Sequence, residues 1–349
     1  MMLYAVVAVL NLVASCYLLF RRGNAIAPDI TSPIRLRRWT GVFFTAMTLS
    51  HLWYMPSIYL TSSEDKMLCY DIGGMLDCMT TFPLAIVILI TMLQDRRRPL
   101  WLAFVMVIPL VVILALNLGT HSEVLLPMFH AYLLLLAIGI TIYMIREVRR
   151  YGCWLRDNYA DLEHKEVWQS FVVLGITLMT LAFYGSGLLN IFYEFVVQLN
   201  NLLLIGLILW RVETLQKLDS NTEPTPIAEP TYIPSNIGKL LEQHCEATQL
   251  YLQHDLSLAH LSVAIGTNRT YLSSYFAQQG ITYNIYINRL RIQHFVRLFR
   301  ENVDKPQKLT AQQLAQSCGF TSYSTFSLAF KKFMRQTATA WMKEQNHHI

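Results

Sequence analysis

Seven apolar runs, each long enough to cross a bilayer as a helix, constrain the fold of this chain more than any other feature. A spanning helix needs about 20 mostly apolar residues. The runs cover residues 3–20, 39–60, 72–93, 100–118, 124–145, 167–188 and 193–210. Only 15% of the 349 residues are charged, against about 25% in soluble domains. The sequence therefore predicts a transmembrane helical bundle. The last two runs are joined so tightly that one broken span, and a total of six, is the alternative.

Basic residues between the runs predict the orientation of the bundle, because cytoplasmic loops collect lysine and arginine. The basic groups are Arg21, Arg22, Arg35, Arg37 and Arg38; Arg96, Arg97 and Arg98; Arg146, Arg149, Arg150, Arg156 and Lys165; and the segment that begins at Arg211. The loops between them, at 61–71, at 117–123 and near Asn190, contain Lys66 and no arginine. Seven spans with the N-terminus outside place every basic group and the C-terminus in the cytoplasm, whereas six would break the alternation.

The first run is predicted to be a span and not a secretory signal, because its basic residues follow the apolar stretch. The six cysteines contain no Cys-x-x-Cys pair, so neither a metal site nor a cofactor is predicted. Cys69 and Cys78 both fall near the predicted outer face. A disulfide between them and two unpaired thiols are both open.

A change of composition after Trp210 divides the chain. Residues 1–215 are predicted to form the transmembrane bundle and to act as a sensor, 216–236 to be a proline-rich linker, and 237–349 to form a soluble helical domain. The linker contains the stretch DSNTEPTPIAEPTYIPS, whose prolines favour an extended form. From residue 236 onward, 12 Lys and Arg stand against 6 Asp and Glu, a net charge of +6. This charge suits an anionic partner, either nucleic acid or lipid head groups. The whole chain is predicted to be all-α.

A helix-turn-helix pattern occurs twice in the soluble domain, as an apolar helix, a glycine turn and a second helix with an inward aromatic residue. The matching positions are Leu261, Gly266 and Phe276 in the first copy, and Leu314, Gly319 and Phe330 in the second. Asn268 and Ser322 are expected to cap the second helices, and an amphipathic helix at about 283–299 joins the copies. The spacing predicts these core residues: Leu261, Leu272, Phe276, Leu314, Phe320, Phe326 and Phe330.

These residues resemble the AraC/XylS family of bacterial regulators over about 240–342. The first copy reads LSVAIGTNRTYLSSYFAQQGITYNIYINRLRIQ, with Tyr286, Ile287 and Arg291 at family positions. The second reads LAQSCGFTSYSTFSLAFKKF and is similar to the signature LAxxxGFxxxSxFxxxFKKxxG. The family usually ends FKKxxGxTPxxYR, but here Arg335, Ala338 and Trp341 replace the glycine, proline and tyrosine. Ser274 and Leu328 stand where an arginine is common in the second helices.

The resemblance implies that the second helix of each copy enters the major groove of double-stranded DNA. The implied base-contacting candidates are Arg269, Thr270, Ser273 and Ser274 in the first copy, and Tyr323, Ser324, Thr325, Ser327 and Leu328 in the second. Hydroxyl groups can bond base edges or phosphates, and a leucine can contact a thymine methyl group. Lys331, Lys332 and Arg335 are expected to neutralise the phosphate backbone, which positions the protein without specifying sequence.

The predicted function is a membrane-bound, sequence-specific transcription regulator of the bacterial inner membrane, and not an enzyme. The expected partners are promoter DNA, the lipid bilayer, a second copy in a homodimer, RNA polymerase, and an unknown small-molecule or protein signal. Two alternatives stay open: a transporter or membrane enzyme whose C-terminal domain is structural, and a partner-binding scaffold. The sequence contains no HExxH, GxSxG or phosphate-loop motif.

Polar residues inside the predicted spans are candidates for sensing, because ionisable groups at membrane depth are costly. Those that map to the outer half are His51, Asp77, His130, Glu194 and Gln198. A small-ligand pocket and plain interhelical hydrogen bonding are the two main interpretations. A metal site is a third, but no tight ligand spacing supports it.

Overall fold

A computed structural model describes residues 2–120, 123–168, 175–176, 193–218, 236–302 and 309–347. Within these ranges the regular structure is helical, and extended backbone pairs only in an isolated bridge between Tyr159 and Ser257. The prediction of an all-α chain is confirmed. Contacts divide the chain into an N-terminal unit, residues 1–150 and 167–219, and a C-terminal unit, residues 151–166 and 220–349. The predicted linker lies almost wholly outside the described residues, so the predicted domain boundaries stay predictions.

The N-terminal unit is built from long apolar helices. α1 packs along α2, α2 also contacts α4, and α3 contacts α6. The helices are α1 (Met2–Phe20), α2 (Ile34–Tyr54), α3 (Ser63–Met79), α4 (Thr81–Met92), α5 (Trp101–Val105), α6 (Ile108–Thr120), α7 (Leu126–Asn158) and α8 (Tyr193–Thr214). The last turns of α7, from Tyr151 onward, belong to the C-terminal unit. At 33 residues α7 is about 50 Å long, which exceeds the roughly 30 Å apolar core of a bilayer.

Among the residues that the structure describes, five stretches of helix are long and apolar enough to cross a membrane: Met2–Phe20, Ser63–Met92, Trp101–Thr120, Leu126–Asn158 and Phe195–Thr214. They match five of the seven predicted runs. The run at 39–60 forms α2, which is not among them because its first turns carry three arginines and its body several hydroxyl side chains. The run at 167–188 lies mainly outside the described residues. Seven spans are therefore not confirmed.

Two of these stretches are interrupted at prolines. Pro83 lies in the first turn of α4, directly after the break at Thr80, and Pro109 lies in the first turn of α6. Proline lacks a backbone N–H and is tolerated at the start of a helix but not in its interior. Each predicted continuous span is therefore two consecutive helices.

Arginines from two predicted inner loops are buried and bonded within the N-terminal unit. Arg37 Nη1 donates to Asn24 Oδ1 at 2.8 Å and lies 3.6 Å from Glu213 Oε1. Arg98 Nη2 donates to Glu147 Oε2 at 2.6 Å, and its Nη1 donates to Asp95 at 2.8 Å. A buried charge is tolerated only when it is paired and hydrogen-bonded. These arginines therefore contribute to packing as well as to the charge pattern of the loops.

The C-terminal unit has two hydrophobic cores joined by one long helix. Its helices are α9 (Ile237–Leu241), α10 (Leu258–Ala264), α11 (Arg269–Gln278), α12 (Tyr283–Asn302), α13 (Ala311–Ser317), α14 (Tyr323–Met334) and α15 (Ala338–His347), with a 3-10 turn at Leu250–Leu252. The predicted amphipathic linker helix is α12. Its first half packs in the core of α10 and α11, and its second half in the core of α13 to α15. The seven predicted core residues are all buried.

Candidate nucleic-acid interface

The first helix-turn-helix copy consists of α10 and α11. Gly266, in the turn between them, has a φ of +69°, a left-handed conformation that favours glycine. The side chain of Asn268 accepts a hydrogen bond from the backbone N–H of Tyr271 at 2.8 Å. Both the predicted turn and the predicted N-cap are confirmed. The start of α11, which carries Arg269 and Thr270, is thereby fixed.

The second copy consists of α13 and α14 and repeats this construction. Thr310 and Gln313 form a reciprocal capping box at the start of α13, which satisfies two backbone donors. Gly319 has a φ of +84°. Ser322 caps α14 by accepting from the backbone N–H of Thr325 at 3.2 Å, as predicted. Tyr323 to Thr325 therefore occupy the first turn of α14. α11 and α14, the second helices of the two copies, are called recognition helices below after the role that the resemblance predicts for them.

The 3-10 turn at Leu250–Leu252 precedes both copies in the sequence and packs against α12 and against the turn of the second copy. The buried guanidinium of Arg291 on α12 donates to the carbonyl oxygens of Tyr251 and Gln253, both at 2.7 Å. It also lies 5.5 Å from the centre of the Phe320 ring in the second copy. Burial lowers the pKa of Arg291, and the nearby Tyr283 hydroxyl and acidic side chains oppose this shift. Arg291, a position of the family signature, is thus a structural residue and not a DNA-contacting one.

Residues 261–344 match a family model described as a helix-turn-helix domain. An uncharacterized HTH-type transcriptional regulator of Staphylococcus aureus (strain MRSA252) is 33% identical over 98 residues, which are 28% of this chain and 12% of that relative. The probable transcriptional regulator LumQ of Photobacterium leiognathi is 34% identical over 106 residues, 30% of this chain and 38% of LumQ. The C-terminal unit carries an AraC-type helix-turn-helix domain. The chain spans less than half the length of either relative, and no solved structure matches it.

The AraC-type domain presents the predicted DNA-contacting residues at two levels of exposure. Exposed are Ser273, Tyr323, Ser324, Lys331 and Lys332; half-buried are Arg269, Thr270, Ser274, Thr325 and Ser327. Arg269 and Thr325 are half-buried because another part of the chain contacts them, as described below. Burial lowers the pKa of the Arg269 guanidinium. Whether these side chains touch DNA stays a prediction.

The departures from the family signature have visible structural effects. Leu328 is 74% exposed on α14, so its apolar side chain stands on the outer face of the recognition helix. Arg335, at the usual glycine position, ends α14 in a left-handed conformation with a φ of +62°. Trp341 is buried, with its ring 5.2 Å from that of Phe299 and 5.7 Å from that of Phe330. Trp341 therefore fills the core position at which the family usually has a tyrosine.

Sequence reasoning missed one element of this interface. Residues 158–166, which follow α7, pack within the C-terminal unit. Asn158 Oδ1 accepts from Arg269 Nε at 2.9 Å, and Asp161 Oδ1 accepts from the Thr325 hydroxyl at 3.1 Å. Residues 158 and 161 are only three positions apart, and each contacts the start of a different helix. The starts of α11 and α14 therefore lie on the same side of the domain. The available signal was the presence of Asp161 and Glu163 in a loop otherwise notable for its basic residues.

The polar residues predicted to sense a signal are only partly brought together. His51 and Gln198 are buried in the N-terminal unit, with His51 Nε2 3.1 Å from Gln198 Oε1. Asp77 accepts from the hydroxyls of Ser50 and Thr81, both at 3.1 Å. His130 is exposed, with its ring 5.6 Å from that of Phe129. The side chain of Glu194 lies outside the described residues.

Cys69 and Cys78 are free thiols. Both lie on α3, nine residues apart, which separates them by about 13 Å along the helix axis. A disulfide requires Cα atoms within about 7 Å. The interpretation of a bond between these two residues is therefore wrong, and that of unpaired thiols holds. Among the described residues no three His, Cys, Asp or Glu side chains group as metal ligands.

Proposed function

We propose that this protein is a membrane-anchored, sequence-specific DNA-binding transcription regulator whose transmembrane unit controls its AraC-type domain. The observation that carries the proposal is the pair of capped recognition helices, α11 and α14, whose first turns open onto one side of the domain. Two such helices on one side can enter the major groove of a single duplex. The curated relatives that match this part of the chain bear the names of transcriptional regulators.

The side chains on these helices support a division of roles. Ser273, Tyr323 and Ser324 are exposed hydroxyl donors and acceptors at positions suited to base edges. Lys331 and Lys332 are exposed near the end of α14 and suit phosphate contacts, which position the protein on the duplex. With Ser274 and Leu328 at the common arginine positions, specificity depends on hydroxyl, apolar and shape readout.

The five apolar helices support anchoring in the bacterial inner membrane. The basic loops favour an outside N-terminus and a cytoplasmic AraC-type domain, where DNA is found. We also propose a homodimer and contact with RNA polymerase as the route to control of transcription. The signal is a small molecule or a protein recognised by the transmembrane unit, for which the buried pair His51 and Gln198 is the leading candidate position.

The experiment that tests the proposal is genome-wide mapping of the DNA bound by the intact, tagged protein, followed by binding measurements on a recovered fragment. We expect the full chain in detergent to bind the fragment, with an affinity that falls as salt rises. The double variant Lys331→Ala with Lys332→Ala should lower the slope of log affinity against log salt by about 2, because each phosphate contact contributes roughly 0.9.

The matched control is Lys239→Ala with Lys343→Ala, which removes the same charge from exposed positions on α9 and α15. This control should leave the slope within about 0.5 of the wild-type value. Recovery of no enriched DNA, together with no binding at low salt, would refute the proposal and favour the scaffold alternative. Equal slopes for the two double variants would refute the role of Lys331 and Lys332.

A further inference from the structure

The backbone of segment 158–166 and the small side chain of Ala160 pack against the scaffold of the AraC-type domain. Ala160 is 1% exposed and belongs to the first hydrophobic core. Its carbonyl oxygen accepts from the side-chain amides of Asn284 at 2.6 Å and Asn288 at 3.0 Å, both on α12. Tyr159 forms the isolated bridge with Ser257, the N-cap of α10. The segment is therefore held by the scaffold of the domain and does not merely lie near it.

The same segment contacts both recognition helices at their first turns. Asn158 accepts from Arg269, the first residue of α11, and Asp161 accepts from Thr325 in the first turn of α14. Glu163 Oε2 lies 3.4 Å from the same Thr325 hydroxyl. A further ion pair joins Lys165 Nζ to Asp255 at 3.1 Å. Two of the predicted DNA-contacting side chains, those of Arg269 and Thr325, are thus hydrogen-bonded to segment 158–166.

The chemistry of the segment at these helices matches that of the expected ligand. Helix N-termini favour anions because their first N–H groups are unpaired within the helix and the dipole is positive there. Asp161 and Glu163 place two carboxylates at the start of α14, where a DNA phosphate or base edge would bond. A duplex that uses Arg269 or Thr325 must first displace Asn158 or Asp161.

We infer that segment 158–166 is an intramolecular inhibitor that covers the DNA-reading face of the AraC-type domain and must leave it before DNA binds. The inference rests on the proposed function. The segment follows directly from α7, a candidate membrane span that ends at Asn158. A signal that displaces α7 would therefore pull on the inhibitor without any diffusible messenger. The segment thus gives the transmembrane unit a physical means of controlling the domain.

A reversible cross-link tests this inference on the full chain without altering either recognition helix. Tyr159 and Ser257 pair as antiparallel neighbours, a geometry whose Cα separation of about 4.5–5.5 Å suits a disulfide. Tyr159→Cys with Ser257→Cys should form that bond on oxidation. We expect the oxidised form, in detergent, to bind a 40-base-pair random-sequence duplex at 50 mM salt at least about tenfold more weakly than the reduced form. Wild-type protein taken through the same redox cycle is the control.

A second pair of variants keeps the inference testable if the cysteine variant folds poorly. Asp161→Ala with Glu163→Ala removes the carboxylates that face Thr325 and should raise affinity for the same duplex about tenfold, the effect of losing a hydrogen bond to a charged group. Glu242→Ala with Glu301→Ala removes the same charge from exposed positions on the domain. This matched control should change affinity by less than about twofold.

The possible results of these binding experiments distinguish a failure of the inhibitor from a failure of the proposed DNA-binding function. Equal binding by the oxidised and reduced cysteine variant, or equal gains in the two alanine double variants, would overturn the inhibitor and leave DNA binding intact. Failure of the two cysteines to cross-link in folded protein would also overturn it, since the segment would then not be docked. No DNA binding in any form would overturn the proposed function, and the inhibitor with it.

Discussion

His294 on α12 shows how a single titratable residue is held by its neighbours. It is 8% exposed, and its Nδ1 accepts from Arg297 Nη2 at 2.7 Å and lies 3.2 Å from the Tyr251 hydroxyl. Burial, together with the charge of Arg297, lowers the pKa of His294 in the folded state, and Glu301 opposes this. Since a guanidinium can only donate, the hydrogen bond from Arg297 requires an Nδ1 that carries no hydrogen, which agrees with the direction of this shift.

This lowered pKa predicts a pH dependence of stability. The unfolded chain binds a proton on this residue below its ordinary pKa of about 6.5, and the folded chain resists doing so, so stability falls as pH drops through that value. Each unit of lowering corresponds to about 1.4 kcal/mol. We expect the thermal midpoint of the full chain in detergent to fall more between pH 7.5 and pH 5.5 in the wild type than in His294→Gln. Parallel curves for the two proteins would contradict this.

Sequence reasoning was most successful at residues whose role is local. Asn268 and Ser322 were predicted as caps, and Gly266 and Gly319 as turn residues, because capping and left-handed backbone depend only on neighbours a few positions away. It could not foresee that Arg269 and Thr325 would be half-buried. Their partners, Asn158 and Asp161, are 111 and 164 positions distant, and no short-range pattern records such a pairing.

At the scale of secondary-structure elements, the two turns of the AraC-type domain provide a matched comparison. Gly266 and Gly319 both have a positive φ. A Cβ added to Gly266 would meet no atom within 4 Å, whereas a Cβ on Gly319 would lie 2.4 Å from the carbonyl oxygen of Leu252. The first turn therefore requires glycine for its conformation alone, and the second also for its close packing against the 3-10 turn.

Alanine at Gly266 and alanine at Gly319 should therefore destabilise the protein to different degrees. Gly266→Ala should cost about 1–2 kcal/mol of unfolding free energy, the penalty for a left-handed residue. Gly319→Ala should cost about 3 kcal/mol or more, because backbone must move as well. Denaturant unfolding of the two full-length variants, in a background where the other six tryptophans are replaced by phenylalanine, measures the difference through the fluorescence of buried Trp341. Equal losses of unfolding free energy in the two variants would mean that the close approach of Gly319 to Leu252 does not affect stability.

At the same scale, α2 is the predicted span on which the count of membrane helices depends. α2 is predicted as a span from its length, yet its arginines and hydroxyls keep it out of the set of strongly apolar helices. Its buried face packs against α1 and α4. The hydropathy of a single run does not include these contacts with neighbouring helices. The predicted topology of the chain therefore depends on whether α2 is counted as a span.

At the scale of the whole molecule, seven spans and five spans predict opposite sides for two loops. With seven spans, Ser63 lies outside and Arg97 in the cytoplasm. If only the five strongly apolar stretches crossed, Ser63 would lie inside and Arg97 outside. Positive residues at 96–98 favour the first arrangement. Both positions are exposed and accessible to labelling.

Cysteine labelling of intact cells distinguishes the two arrangements. In a background that lacks Cys16, Cys69, Cys78 and Cys153, a membrane-impermeant maleimide should label Ser63→Cys in intact cells and label Arg97→Cys only after lysis. The reverse pattern would establish five spans and would contradict the predicted orientation. A fluorescent protein fused to the C-terminus should fluoresce in either case, because both arrangements leave that end in the cytoplasm.

The amino-acid sequence by itself determined the helical class, the apolar helices of the N-terminal unit and the two capped helix-turn-helix copies. These features follow from hydropathy, from glycine conformation and from capping, all of which act over a few residues. The tertiary structure alone decided that Arg291 is buried as a support between the two copies. It also decided that residues 158–166 lie across the starts of α11 and α14. Those outcomes depend on contacts between distant parts of the chain, whose energies arise only when the fold brings them together.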